Sequence, residues 1–182
     1  MRHVICALSI LCGLSPAMQA ADVTVVLDFE ARHSERAAAV MELEAERLLA
    51  DFGFSLEWRM LNRLAQGESF SRLAVVKLKG RCEMAPFLPA SSEPPARLGL
   101  TYSVDGRVIP FSEVKCDEVR AALSLAHLAV NPEVREVLFG RALGRVMAHE
   151  LLHVLNRSDR HTKEGVTQKY LSAARLTGDA ID

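Results

Sequence analysis

Residues 131–156 read NPEVREVLFGRALGRVMAHELLHVLN, and this stretch decides how the rest of the chain is understood. Asn131 followed by Pro132 is a strong helix start. An Asn side chain accepts from the first free backbone N–H groups, and Pro at the first helical position lacks an N–H that would have no partner there. Val134, Leu138, Ala142, Val146 and Val154 fall along one stripe at helical spacing, so a helix is expected from about Pro132 to Leu155. Gly140 and Gly144 lie four apart inside it. Each weakens an isolated helix by roughly 1 kcal/mol against Ala, which points to close approach of a neighbouring element. Arg141 and Arg145 continue the stripe of His149 and His153 toward the helix start, either solvated or paired with carboxylates such as Asp28 or Glu30.

His149-Glu150-Leu151-Leu152-His153 lies on this helix. Side chains four apart stand one turn above another, so both imidazoles can face one metal ion. Zinc takes neutral imidazole nitrogen and, in catalytic sites, keeps a position for water. Glu150, beside the first ligand, is the candidate general base: it would accept a proton from that water during attack on a peptide carbonyl. A third ligand must come from beyond Leu155, where the helical pattern fades and Asn156 is a tolerable left-handed cap. Asp159 and His161 compete for that role, with Glu164 a weaker candidate.

His149-Glu150-x-x-His153 followed by Asn156 and Asp159 resembles the metzincin pattern H-E-x-x-H-x-x-G-x-x-H/D. The longer run RVMAHELLHVLNRSDRHTKEGV, residues 145–166, is more similar to a group of small exported bacterial proteins, most without an assigned activity. That group carries R-V-x-A-H-E-x-x-H and a His eight residues after the second motif His, which is His161 here, with Gly165-Val166 after it. Cys82 and the run from Asp105-Gly106 through Pro110-Phe111 to Cys116 also look like that group. The resemblance implies a metzincin-like fold and His161 as third ligand, and imidazole is also the commoner zinc ligand in such sites. Two positions depart from the metzincin pattern. Asn156 replaces its Gly, and no Met follows Met147, Thr167 falling about where the supporting Met would be. Tyr170 is a candidate oxyanion donor or a packing residue.

Upstream, Val23 to Phe29 reads as a strand, and Ser34 as the N-cap of a helix to about Phe52, stopped by Gly53. Phe54 to Leu61 and Leu73 to Leu78 read as further strands, the latter apolar enough to be central. Residues 80–97 hold four prolines and read as a loop. Leu98 to Val104 and Val108 to Phe111 form an expected hairpin about Asp105-Gly106, with Leu98 to Val104 the candidate edge for aligning an extended peptide. Asp117 opens a helix to about Ala129, and His33 and His127 read as structural histidines.

Residues 1–20 have the layout of a secretory signal peptide, with Arg2 and His3, an apolar run from Val4 to Leu14, and small residues at Ala17, Ala20 and Ala21. The run is too short to span a bilayer as a helix. Export to a periplasm or beyond the cell, without stable membrane insertion, is therefore expected. The mature chain keeps Cys82 and Cys116, which most simply form one disulfide in an oxidising compartment; two buried free thiols are the alternative. A net charge of −1 argues against nucleic acid as a partner.

The expectation is an α+β, zincin-like fold over residues 21–182: a single domain with a mixed twisted sheet, packed helices and a long ligand-bearing helix in the C-terminal half. It would be a monomeric zinc peptidase acting on peptide or protein substrates, with metal ligands His149, His153 and His161 and base Glu150. A zinc-binding exported module that no longer turns over is the alternative, motivated by the missing Met, and a metal-free structural domain is a third reading.

Overall fold

The computed structural model describes residues 22–84, 97–124 and 131–179. The expected signal peptide, most of the proline-rich loop and His127 lie outside the described residues. The chain runs β1 (Val23–Phe29), α1 (Glu35–Ala50), β2 (Leu56–Met60), a single 3₁₀ turn (Leu61–Arg63), β3 (Leu73–Lys79), β4 (Gly99–Val104), β5 (Arg107–Lys115), α2 (Cys116–Ser124), α3 (Pro132–Asn156) and α4 (Ala173–Thr177). This is the α+β layout expected.

The sheet has the order β2-β1-β3-β5-β4. β2, β1, β3 and β5 pair in parallel, and β4 runs antiparallel to β5 at the edge. Parallel neighbours need a crossover, which α1 supplies between β1 and β2. β3 is central as expected but alternates along its length: Ala74, Val76 and Leu78 are buried while Val75 and Lys77 are only partly so. One face of the sheet therefore carries the core. There Val23, Val25 and Leu27 of β1 join the buried residues of β3, Met41, Ala45 and Leu49 of α1, and Phe139, Leu143 and Met147 of α3.

Local chemistry sets the element ends. The Ser34 hydroxyl accepts from the Ala37 N–H and caps α1. The helix stops at Ala50, two residues before the expected end, because Gly53 turns left-handed at φ +81° and Phe54 N–H donates back to the Leu49 carbonyl. Phe52 is consequently outside the helix and 49% exposed. Asp105 and Gly106 both have positive φ, the geometry of a tight hairpin. β5 extends well beyond the expected Val108–Phe111, since it pairs with β4 on one side and β3 on the other. β2 is shorter than expected, keeping only Leu56–Met60 in the ladder.

Asn131 caps α3 through the Glu133 N–H, with Pro132 in the first turn, as read from the sequence. From Phe139 to Leu155 almost every residue is buried, whereas Val134 of the expected stripe is 44% exposed. Gly140 and Gly144 let α1 approach: a Cβ on the first would meet the Ala37 carbonyl at 2.5 Å, and one on the second the Met41 carbonyl at 2.6 Å. Arg145, fully buried, does not reach Asp28 or Glu30. It donates to Glu44 of α1 at 2.7 Å, to the Gly178 carbonyl at 2.7 Å and to the Arg175 carbonyl. Arg141 donates to the carbonyls of Thr177 and Gly178, so the two arginines pin α4 against α3.

Cys82 and Cys116 form a disulfide that ties the chain after β3 to the start of α2. His33 stacks on Phe29 beside this staple. Among the described residues no helix is long and apolar enough to cross a membrane.

Candidate metal centre

α3 brings His149 and His153 to one face, 8% and 7% exposed. The helix closes one residue later than the sequence suggests. Arg157, not Asn156, is left-handed at φ 51°, and Ser158 N–H donates back to the His153 carbonyl. This reversal places the Ser158 carbonyl 2.7 Å from His153 Nδ1. Farther on, the Val166 carbonyl lies 2.8 Å from His149 Nδ1. A carbonyl only accepts, so both Nδ1 atoms carry a proton, and in the neutral ring Nε2 is then the nitrogen with a lone pair.

Those two Nε2 atoms face each other at 3.0 Å. Two lone pairs so placed repel unless a cation lies between them. Tetrahedral zinc with bonds of ~2.0–2.1 Å would separate two such nitrogens by about 3.3 Å. Burial, followed by the nearby His153 and His161, lowers the His149 pKa to about 4, against the opposing hydrogen bond that it donates to the Val166 carbonyl.

His161 completes the group. Its ring lies 5.2 Å from that of His149 and 4.8 Å from that of His153, centroid to centroid. The ligand atoms of the three histidines all fall within 4.8 Å of one another, an arrangement that could hold a metal ion. His161 is itself exposed, and burial together with His153 and Lys169 holds its pKa below the usual value. Asp159 lines the same cavity but is not a member of the group, and Glu164 is neither. Three imidazoles, two of them oriented by backbone carbonyls, are a donor set suited to a divalent transition metal.

Glu150 is 5% exposed and points to the edge strand. Thr101 Oγ1 of β4 lies 2.6 Å from Glu150 Oε2, and a Cβ on Gly99 would stand 2.6 Å from Glu150 Oε1. Burial pushes the Glu150 pKa above the usual carboxylate value, in opposition to Thr101, His153 and Arg97. Glu150 and the three histidines open on a cavity of about 830 Å³ whose other walls include Leu100, Val108, Val146 and Leu171. The β4 strand, expected as an edge, is one and forms a wall of this cavity. Tyr170 stands at the cavity with 77% exposure and Lys169 over its ring. Thr167, at the position expected for a supporting Met, is bonded to Thr162 through both backbone and hydroxyl.

Thr101, Ser158, Val166 and Glu44 had no local signal in the sequence. Gly99 had one, since an isolated Gly in a strand pattern marks a close approach. Two buried imidazoles on a long helix and an exposed third from the chain beyond it lie near a carboxylate and an edge strand, and the three imidazoles could hold a metal ion. The chain matches no family model, no curated protein and no solved structure.

Proposed function

We propose that the protein is an exported, metzincin-like zinc peptidase that hydrolyses peptide bonds with Glu150 as general base. The observation that carries this reading is the convergence of His149, His153 and His161 in the cavity that Glu150 also lines. Zinc, when bound, would polarise the substrate carbonyl and acidify water. The chain's own residues do the rest. His149 and His153 are held in the ligating tautomer by the Val166 and Ser158 carbonyls. Glu150 takes a proton from the attacking water and delivers it to the departing amide nitrogen, with no covalent intermediate. The raised pKa of this carboxylate suits a group that must both accept and release a proton. As the edge strand of the described sheet, β4 would offer main-chain groups to an extended peptide. The Cys82–Cys116 disulfide supports an oxidising compartment.

Thr167 in place of a supporting Met favours a second reading, a zinc-binding exported module without turnover. Zinc per chain, with Asp159→Ala and His161→Ala alongside, tests the site: one zinc is expected, kept by Asp159→Ala and lost by His161→Ala. Peptidase assay of the zinc-loaded protein, with Glu150→Ala as the inactive control, separates the enzyme from the module. Folded wild type that takes up no zinc when it is supplied would refute both.

A further inference from the structure

Glu150 belongs to α3, yet the side-chain hydrogen bond that fixes it comes from β4. Thr101 and Gly99 are two apart on that strand and so face the same side of the sheet edge. Glu150 sits across them, Oε2 against the Thr101 hydroxyl at 2.6 Å and Oε1 over Gly99, where any side chain would displace it. A hydroxyl has one proton to give. Thr101 Oγ1 is also 2.9 Å from Ser112 Oγ, its register partner on β5, and 3.1 Å from the Glu150 backbone carbonyl. The shortest contact, to a carboxylate, takes the Thr101 proton, and the fully buried Ser112 then donates to Thr101. Two strands are thus wired in series to one carboxylate oxygen.

We propose that Thr101 is a positioning residue for the reaction proposed above, on which this inference rests: it holds Oε2 so that Oε1 is the oxygen that works. In hydrolysis the water oxygen bonds to the carbonyl carbon as its proton passes to Oε1. That proton then goes to the amide nitrogen as the C–N bond breaks. A free Glu side chain would sample several rotamers, and proton transfer needs the acceptor within hydrogen-bond reach of the water. Thr101 and the space left by Gly99 select one placement, and the hydrogen bond leaves Oε1 as the oxygen not engaged by Thr101.

The test compares zinc-loaded wild type, Thr101→Val and Thr101→Ser on fluorescein-labelled casein, with zinc content measured for each. Val matches Thr in shape without the hydroxyl, and Ser keeps the hydroxyl. The expected result is a kcat about 10- to 100-fold lower for Thr101→Val, less than the ~100- to 10,000-fold worth of general-base assistance because the base is displaced rather than removed. Apparent KM should stay within about threefold and zinc content should be unchanged, with most of the rate restored in Thr101→Ser. A Thr101→Val kcat equal to wild type would overturn the proposal, as would a loss that Thr101→Ser fails to restore. Urea unfolding of the zinc-free proteins gives a readout apart from activity. Thr101→Val should lower the midpoint more in wild type than in a Glu150→Met background, where only the Ser112 and main-chain contacts of Thr101 remain to be lost, and an equal drop in both would overturn the contact itself. If zinc-loaded wild type leaves casein and other denatured proteins intact, the peptidase reading falls and takes the catalytic role with it. The unfolding comparison would then still support or overturn the hold of Thr101 on Glu150.

Discussion

Arg145 offers the sharpest test of how this fold is held. Its side chain is fully buried one turn before His149 and serves three acceptors: Glu44 Oε1 on α1 and the carbonyls of Arg175 and Gly178 at α4. Arg145→Met keeps the length and apolar stem but removes every donor. Breaking a buried pair from one side typically costs 3–5 kcal/mol, because the partner charge is left behind. Glu44 is not stranded, however, since Arg47 still donates to it at 3.0 and 3.1 Å. Gly178 likewise keeps Arg141 at 3.2 Å. The expected loss is therefore at the lower end, about 3 kcal/mol. With a urea slope of about 2 kcal/mol/M, that lowers the midpoint by about 1.5 M. Circular dichroism of the metal-free protein measures it, and amide exchange across residues 173–177 should show α4 losing protection. In a cycle with Glu44→Gln, the two changes should couple by at least about 1 kcal/mol, as residues in one network do. A loss under about 1 kcal/mol, or strict additivity, would refute the view that this pair clamps α1, α3 and α4 together.

Gly144→Ala should destabilise the protein, although the same change on an exposed helix would stabilise it by about 1 kcal/mol. The new Cβ meets the Met41 carbonyl at 2.6 Å and Glu44 Cβ at 2.8 Å, so overpacking of about 1–3 kcal/mol should outweigh the propensity gain, and a higher melting temperature would contradict this. Replacing Cys82 and Cys116 together by Ser should cost about 3–4 kcal/mol in thermal or urea unfolding, from the chain closed over a separation of 34 residues. The metal-free protein should weaken in acid. His149 titrates near 6.5 when unfolded but at about 4 when buried, so its contribution is present above about pH 6.5 and lost as pH falls toward 4. The full span is about 3 kcal/mol, and a flat urea midpoint between pH 7 and 4.5 would count against it. Glu44 adds to the same trend: burial lifts its pKa, but hydrogen bonds from Arg47 and Arg145 hold it below the ordinary value, so its stabilisation too is lost as pH falls.

What the sequence determined by itself is the part written in near neighbours. Asn131-Pro132 caps α3 because the free N–H groups lie within two or three residues of the Asn side chain. His149 and His153 share a face because four residues make about one helical turn. Asp105-Gly106 turns the hairpin and Gly53 ends α1 because those backbones need positive φ. Cys82 and Cys116 read as a pair from their even number together with the expected export, and they are one. Tertiary structure decided the rest, since its partners are far apart in the chain and leave no periodic trace. The β2-β1-β3-β5-β4 order and the length of β5 depend on neighbours on both sides of each strand. Arg145 finds Glu44 across 101 residues rather than Asp28 or Glu30, because Gly140 and Gly144 bring α1 against α3. His161, already favoured over Asp159 by the resemblance, joins His149 and His153 once the chain reverses at Arg157, one residue later than Asn156 would place it. Thr101 reaches Glu150 across 49 residues only because β4 closes the sheet beside α3. Spacing along one helix put two imidazoles together, the chain just beyond it brings the third, and packing between elements supplied the hydroxyl that meets Glu150.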